Sequence, residues 1–421
     1  MTAGNEKTES VVVVGGGVIG LASAYYLAKS GRKVTVIERD PSLLSGGSAG
    51  NAGMVVPSHF IPLAAPGVIG QGLRWMLDPK GPFFLRPRID IDLARWIWIF
   101  FRHANAKHVA ASEKLLCDLS LQSHRLHQEL SKGEGYTLTE RGLLMLCQSE
   151  KGLEEETEVV EAAHRLGLEA ELFDKERLRE FEPDAEVAAA GGVWWKQDCH
   201  LTPLDFTNAL RKGISRDGGT FVEDDAVDFI REGKEVIGVK TAAGDSIEGD
   251  RIVLAGGIAT IKLARKLGLR MPMQGGKGYS FTLPKPRKSL RLCSLLKEGR
   301  VAVTPMGDSL RVAGTMEICG SDTSVSPKRL EGVVENFCRF YPDFTKADFE
   351  GIEPWVGLRP CSPDGLPYLG HVPGQRRVIA ATGHVMMGLS LAPATGWLVE
   401  KLVSGEVSPI GLSQLDPGRF G

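Results

Sequence analysis

The sequence lacks a dominant charge, paired cysteines, internal repeats and a long apolar run. Its 421 residues carry a formal net charge of −2, which offers no overall basic field for a nucleic acid. The seven cysteines are scattered and form no C-x-x-C pair. We therefore expect neither a disulfide framework nor a metal site, and the cysteine usage is typical of the reducing cytoplasm. A chain of this length is expected to form two domains.

The most apolar stretches are too short to cross a membrane. Val11–Val14 has only four residues, so no signal peptide is expected there. Leu93–Phe101 is longer, but a bilayer span needs about 20 apolar residues. Two interpretations of Leu93–Phe101 stay open: a core helix of the second domain, which we favour, or a helix on an anionic membrane surface. The second interpretation would use the flanking basic residues Arg95, Arg102, His103, Lys107 and His108.

The sequence does contain a glycine-rich turn between a strand and a helix. Val11–Val14 is typical of a buried strand, and Gly15, Gly17 and Gly20 follow at the G-x-G-x-x-G positions before the helical run Leu21–Lys29. The first glycine allows a tight turn, the second lets backbone approach a pyrophosphate, and the third lets helix pack on strand. The pattern predicts a dinucleotide site, with a glycine-rich turn that binds no ligand as the alternative.

The helix start and the next strand supply the rest of this pattern. Val18 and Ile19 lie at the helix N-terminus, whose free N–H groups and positive dipole end favour phosphates. Glu38 closes the strand Lys33–Ile37 and stands about 20 residues after the glycines, where an acid accepts ribose hydroxyls. Arg39 follows it and is assigned to the same site.

A loop of small residues comes next. Such a loop can pass close to a ligand, and its serine and asparagine side chains supply hydrogen bonds. The cofactor contacts predicted from this loop are Ser45, Ser48, Ala49, Asn51, Ala52 and Gly53.

Further along the chain, local patterns predict a helix and a series of strands. Pro203–Arg216 is typical of a helix with Thr202 as its cap. Strands are expected at Thr220–Val222, Ala226–Ile230, Val236–Thr241, Ser246–Glu248 and Arg251–Leu254. The last strand runs into Ala255, Gly256 and Gly257, which we assign to the cofactor site.

A second strand–glycine–helix unit lies near the C-terminus. Val378–Ala381 predicts a strand that leads through Gly383 into a helix ending near Gly405. Because the two units are far apart in sequence, we expect one domain assembled from distant segments and another inserted between them. The predicted dinucleotide domain comprises residues 10–56, 201–268 and 353–421, and the predicted substrate domain comprises residues 57–200 and 269–352.

These segments together resemble the D-amino-acid oxidase superfamily of FAD-dependent oxidoreductases, and most closely its bacterial D-amino-acid dehydrogenases. The most specific motifs are Gly357–Pro367, Lys277–Ser280 and the region around Trp96. The resemblance implies a mixed α/β (α+β) fold, with a Rossmann-like FAD-binding domain and an inserted mixed-sheet substrate domain. It also implies non-covalent FAD, because Gly357 stands where sarcosine oxidases carry the cysteine that binds flavin.

The resemblance implies further contacts with the cofactor. Ser48, Asn51 and Ala52 match flavin-contacting positions, and Val227 matches a residue that offers backbone to the adenine. Gly383–Leu389 is expected to begin a helix whose N-terminus points at the flavin pyrimidine edge. The contacts assigned on this basis are Gly357, Arg359, Gly383, His384, Met386, Met387, Gly388 and Leu389.

For the substrate, the resemblance implies that Arg359 holds a carboxylate and that Tyr279 adds a phenolic hydrogen bond. A planar guanidinium matches a carboxylate through two parallel hydrogen bonds. The alternatives are a fold-stabilising salt bridge for Arg359 and a core position for Tyr279. His200 and His59 are further candidates, although a histidine without a sequence partner is more often structural.

The reaction expected from this resemblance is oxidative deamination of D-amino acids to 2-oxo acids. Hydride would pass from Cα to flavin N5, and the electrons would go to a quinone or another respiratory acceptor, with oxygen as the alternative. Two rival functions stay open. One is same-fold oxidation of D-proline, hydroxyproline, sarcosine or glycine, and the other is a flavin-binding or electron-transfer subunit without an amine substrate. We expect a cytoplasmic protein, with peripheral contact to the inner face of the cell membrane as a further hypothesis.

Overall fold

Two large sheets organise the chain, and the computed structural model describes residues 8–42 and 46–421. The strands are β1 Ser10–Val14, β2 Lys33–Glu38, β3 Met54–Val55, β4 Phe83–Leu85, β5 Leu138–Thr139, β6 Leu143–Cys147, β7 Ala170–Phe173, β8 Gly191–Trp195, β9 Cys199–Leu201, β10 Thr220–Glu223, β11 Ala226–Glu232, β12 Glu235–Thr241, β13 Ser246–Glu248, β14 Arg251–Leu254, β15 Gln274–Pro284, β16 Cys293–Leu296, β17 Val301–Met306, β18 Ser309–Ile318, β19 Trp355–Cys361, β20 Tyr368–Val372 and β21 Gln375–Thr382. The helices are α1 Val18–Lys29, α2 Val68–Met76, α3 Ile91–His103, α4 Ala106–Glu134, α5 Glu150–Arg165, α6 Lys175–Phe181, α7 Pro203–Arg216, α8 Thr260–Lys266, α9 Pro327–Phe340 and α10 Gly388–Ser404.

The first sheet is the predicted Rossmann-like layer. Its six strands lie in the order β10-β2-β1-β14-β21-β20, and all neighbours are parallel except the β20–β21 pair. Both faces of β1 are buried, which is why its sequence is uniformly apolar. Val11 and Val13 pack toward α1 and α10, whereas Val12 and Val14 pack toward the antiparallel meander β11-β12-β13.

The second sheet has nine strands of mixed direction, in the order β19-β15-β18-β17-β16-β6-β8-β7, with β4 beside β18. One face is covered by α9, where Val301, Val303 and Val312 pack on Phe337 and Phe340. Side chains alternate along a strand, so the residues between them point the other way. We call that opposite side the cleft face, and it includes Gly276, Gly278, Ser280, Thr282, Ala302, Thr304, Arg311 and Ala313. A third, small sheet joins β3, β9 and β5.

The predicted fold class is confirmed, because a parallel Rossmann-like sheet stands beside a mixed sheet. Most predicted elements are found within one to three residues of their expected bounds, including Pro203–Arg216 without change. Thr202 stands at the cap position, but its side chain makes no capping hydrogen bond. β19 lies in the segment 353–421 assigned to the dinucleotide domain, yet it pairs with β15 in the nine-stranded sheet. The assignment of β19 is therefore wrong, and the other domain boundaries stay predictions.

The apolar stretch Leu93–Phe101 lies in α3 and is buried along one side only. Leu93 and Trp96 are buried, and Trp96 Nε1 donates to the carbonyl of Cys361 at 2.8 Å. Trp98 and Phe101 are 61% and 62% exposed, so the preferred core interpretation holds for one face of the helix. Among residues 8–42 and 46–421, no helix is long and apolar enough to cross a membrane.

Candidate functional site

The glycine turn after β1 has the geometry that its sequence predicts. Gly15 has a φ of 105°, and a Cβ there would lie 2.7 Å from the carbonyl oxygen of Ala255. A Cβ on Gly20 would lie 1.8 Å from the carbonyl oxygen of Gly15. Gly17 stands directly before α1, and around it the nearest contact for a Cβ is Ser48 Oγ at 3.5 Å. The turn is thus tight at Gly15 and Gly20, while Gly17 leaves room for a ligand beside the helix N-terminus.

Glu38 and Ser48 complete this end of the site. The Glu38 carboxylate accepts hydrogen bonds from the backbone N–H groups of Gly16 and Asp40, and a carboxylate has capacity for further donors. Ser48 Oγ accepts from the N–H of Val18 at 3.0 Å, which brings the small-residue loop onto the first turn of α1. Arg39 is exposed beside Glu38. Ile19 is largely buried in the core under the helix, and Ser45 lies outside the described residues.

The rest of the loop is held by an arginine from the nine-stranded sheet. Arg311 of β18 donates to the carbonyls of Ala49 and Asn51 at 2.8 and 2.9 Å. Asn51 Oδ1 accepts from Gly53 N–H at 2.9 Å, so the loop is also closed on itself. Ala52 packs against the apolar cluster on the cleft face. Arg311 was missed in the sequence, although a charged residue between Leu310 and Val312 in an alternating strand was a usable signal.

At Gly53 and after β14, two backbone segments lie close together. Gly53 has a φ of 78°, and a Cβ there would lie 2.2 Å from the carbonyl oxygen of Leu201. Ala255 is buried and continues β14 with an N–H bond to the carbonyl of Val14. Gly256 and Gly257 follow at the carboxyl end of the strand, where α/β sheets bind ligands.

Val227 lies at an irregularity in β11 that leaves it out of the ladder. Ala226 pairs with Thr241 and Asp228 pairs with Lys240, so the register passes over Val227. Its side chain is 41% exposed. A residue without a partner in the ladder can offer backbone groups to a ligand, which fits the predicted adenine contact.

The C-terminal glycine unit reaches across to β19. Val385 N–H donates to the carbonyl of Pro360 at 3.0 Å, and Met387 N–H donates to the carbonyl of His384 at 2.8 Å. The prediction that a helix begins at Gly383 is wrong, because α10 begins at Gly388. Left-handed φ values of 76° at Gly383 and 51° at Val385 interrupt helical geometry before that point.

The start of α10 is fixed by this turn. Met386 is partly exposed and Met387 is the residue that precedes the helix, whereas Leu389 is buried. His384 is 2% exposed, and its Nε2 lies 2.9 Å from Thr395 Oγ1. Burial lowers the pKa of His384 to about 3, so the ring is neutral at physiological pH. The positive end of the α10 dipole therefore has a neutral histidine beside it.

Arg359 lies on the cleft face with its guanidinium over Gly278. A Cβ at Gly278 would lie 2.1 Å from Arg359 Nη1, so only glycine leaves room for this side chain. Arg359 Nη1 donates to the carbonyl of Thr315 at 2.9 Å. No carboxylate of the described residues lies within ion-pair distance of Arg359. Desolvation lowers the pKa of its guanidinium group. Arg359 therefore does not form the fold-stabilising salt bridge that was the alternative interpretation.

Tyr279 does not join Arg359, and its predicted substrate role is wrong. The residue is 1% exposed, and its hydroxyl donates to Glu317 Oε1 at 2.6 Å and accepts from Ser326 N–H. Alternation along β15 turns Gly278 to the cleft face and Tyr279 to the opposite face. The core interpretation of Tyr279 is the correct one.

Gly357 accommodates a tryptophan ring. A Cβ at Gly357 would lie 2.0 Å from the indole of Trp355, and a Cβ at Gly50 would lie 1.9 Å from the same ring. Trp355 therefore packs between β19 and the small-residue loop. Cys361, on the same face, is fully buried, and burial raises the pKa of its thiol to about 12.

The two candidate histidines are both neutral at physiological pH. His200 is buried in β9, and burial lowers its pKa to about 4. Its Nδ1 is buried without a hydrogen-bond partner in the described part of the chain. The pKa of His59 is lowered to about 4 by burial and by the charge of Arg300. His59 therefore lies toward the tip of the β16–β17 hairpin, where Arg300 is a second residue that the sequence did not reveal.

Comparisons with known proteins agree with this geometry. Residues 10–402 match the family model described as FAD dependent oxidoreductase (DAO). The chain is 32% identical to D-amino acid dehydrogenase of Rhizorhabdus wittichii, over 97% of this chain and 100% of that protein. It is 31% identical to D-amino acid dehydrogenase of Bradyrhizobium diazoefficiens, over 97% and 98% respectively. Among solved structures, glycine oxidase from Geobacillus kaustophilus has a TM-score of 0.77 at 24% identity, over 98% of this chain and 100% of that one.

Proposed function

Because the chain belongs to the DAO family of FAD-dependent oxidoreductases, we propose that it oxidises D-amino acids to 2-oxo acids with non-covalently bound FAD. The electrons then pass to a quinone or another respiratory carrier. The curated relatives named D-amino acid dehydrogenase support this choice, since they align over nearly the whole chain.

The unpaired guanidinium of Arg359 carries the proposal. It is partly buried on the cleft face, beside Gly278, without a carboxylate within ion-pair distance among the residues described. A desolvated cation without an anion is unfavourable unless a ligand supplies one. The carboxylate of an amino acid fits this requirement, because two parallel hydrogen bonds would hold it in one orientation.

Residues of the first sheet and of β11 fit FAD. Gly15 and Gly20 form a turn in which a Cβ would collide with backbone, Glu38 stands at the ribose position, and the unpaired stretch at Val227 is open. When bound, FAD would accept a hydride from the substrate Cα. Non-covalent binding is supported at Gly357, where Trp355 fills the space a cysteine would need.

The charges of the cleft also favour the reactive form of the amine. Arg359 places positive charge on the cleft face, while His200 and His384 are neutral at physiological pH. Like charge lowers the pKa of a bound ammonium, and only the neutral amine can release a hydride from its Cα. The site therefore needs no strong enzymic base close to the substrate.

An anaerobic substrate screen tests this function. The yellow holoenzyme is mixed without oxygen with D-amino acids, the matching L-amino acids, D-proline, sarcosine and glycine. We expect loss of the flavin absorbance at about 450 nm with primary D-amino acids, and recovery when a soluble quinone is added. Reduction by the cyclic or secondary amines alone would replace D-amino acids as the substrate class. A flavin that none of these compounds reduces would contradict the proposed function.

A further inference from the structure

Arg300 lies on the same face of the sheet as Arg359. Val301 pairs with Gly314 across β17 and β18, so Arg300 stands beside Thr315, whose carbonyl binds Arg359. Val301 points to the α9 side, and alternation turns Arg300 to the cleft face. Gly278 in β15 and the start of β17 are separated by two strand spacings, or about 10 Å. Because the Arg359 guanidinium lies over Gly278, the Arg300 side chain begins about 10 Å from it.

The Arg300 guanidinium has no anionic partner among the residues that the structure describes. Its guanidinium carbon lies over the ring of Trp75 in α2, at 5.5 Å from the centroid. Nearby acids are engaged elsewhere: Glu155 and Glu156 pair with Lys297 at 3.2 and 2.8 Å, and Glu298 accepts from Ser149 Oγ at 2.9 Å. The side chain of Arg300 is exposed, yet the surrounding protein removes enough water to lower its pKa. Both properties are expected of a residue that lines a cleft.

The backbone at Arg300 points to the same conclusion. Its φ is 50°, in the left-handed region where glycine or asparagine is favoured at the end of a hairpin loop. Thr315 beside it has a φ of 69°, within a bulge of β18 opposite Gly278. Residues held in unfavourable backbone regions concentrate at binding sites. A large charged side chain at a glycine-like position therefore indicates a role that glycine cannot fill.

We propose that Arg300 binds a second acidic group of the substrate, so that the preferred substrates are acidic D-amino acids such as D-glutamate and D-aspartate. Arg359 takes the α-carboxylate and Arg300 takes the side-chain carboxylate. A four- or five-carbon dicarboxylate with its hydrogen bonds spans the distance between the two side chains. This inference rests on the proposed oxidation of D-amino acids, and it adds the class of side chain.

Paired substrates that differ in charge alone provide the test. We measure kcat/KM for D-glutamate against D-glutamine, and for D-aspartate against D-asparagine, in the wild type and in Arg300→Asn. Asparagine tolerates the left-handed φ and removes the charge. We expect the wild type to prefer the acids by about 10- to 100-fold, the range for a charged hydrogen bond, and the variant to lose the preference while keeping its activity on the amides. Arg300→Lys, which keeps the charge but not the planar fork, should be intermediate.

Two results would overturn this assignment. One is an equal loss on acids and amides in Arg300→Asn, which would mean that Arg300 holds the α-carboxylate or only shapes the cleft. The other is a wild type without any preference for the acids. Calorimetric titration with glutarate and with butyrate separates this inference from the proposed function. Tighter binding of glutarate that Arg300→Asn abolishes supports the second anion site even if no D-amino acid reduces the flavin.

Discussion

Replacing Arg311 with methionine would release the small-residue loop from the nine-stranded sheet. The arginine makes charged hydrogen bonds to two loop carbonyls, those of Ala49 and Asn51. Hydrogen bonds to charged groups contribute about 1.5–3 kcal/mol each. Burial, which lowers the pKa of Arg311 to about 10, opposes the charged form and offsets part of this gain. We therefore expect a net loss of about 1.5–3 kcal/mol in FAD binding, or a ~10- to 150-fold rise in Kd.

Fluorescence titration of the apoprotein with FAD measures this effect directly. Thr282→Val is the matched control, since Thr282 Oγ1 accepts the third Arg311 hydrogen bond at 3.1 Å and does not touch the loop. It should change the Kd for FAD far less than Arg311→Met. Activity of Arg311→Met at saturating FAD should largely recover. Wild-type affinity for FAD in Arg311→Met would refute the loop-holding role.

Three further predictions follow from single contacts. Tyr279→Phe should leave kcat/KM near the wild-type value but lower the free energy of unfolding by about 1–3 kcal/mol, because buried Glu317 loses a donor; a large drop in kcat/KM would restore Tyr279 to the site. Gly20→Ala should reduce the FAD content of the purified protein, since its Cβ would collide with backbone, whereas Gly70→Ala, which meets nothing within 4 Å in the described structure, should raise the Tm. Burial raises the pKa of Asp198 to about 7. Between about pH 4 and pH 7 the carboxyl group therefore keeps its proton in the folded protein but loses it in the unfolded chain. The free energy of unfolding consequently falls as the pH rises through this range. Asp198→Asn should therefore raise the Tm more at pH 8 than at pH 5, and an equal change at both would contradict this.

Local features of the first sheet could be predicted because short stretches of sequence determine them. The strand Val11–Val14, the turn from Gly15 to Gly20 and the acid at Glu38 each follow from a few neighbouring residues. The position of Trp355–Cys361 could not be found in this way. Its partner strand is Gln274–Pro284, and a pairing over such a distance leaves no local signal.

The substrate side of the site was only partly predictable for the same reason. Arg359 was predicted from its motif, and the structure adds that Gly278 makes room for it. Tyr279 was assigned wrongly because its motif gives neighbours in sequence and not the face of the strand on which each lies. Arg300 and Arg311 belong to no motif. Their importance depends on strand register, which becomes visible only when β17 and β18 are paired.

Arg359 provides the most direct test of the central claim, that this flavoenzyme site recognises an amino acid by its carboxylate. The measurement is the kcat/KM for anaerobic flavin reduction by a D-amino acid in the wild type, Arg359→Lys and Arg359→Ala. Arg287→Ala is the control, because that arginine is half-exposed and pairs with Asp348. Loss of a buried charged partner costs about 2–5 kcal/mol, so Arg359→Ala should lose roughly 30- to several-thousand-fold, with Arg359→Lys intermediate and FAD content unchanged. Near-normal kcat/KM in Arg359→Ala would contradict both the carboxylate role and the proposed substrate class.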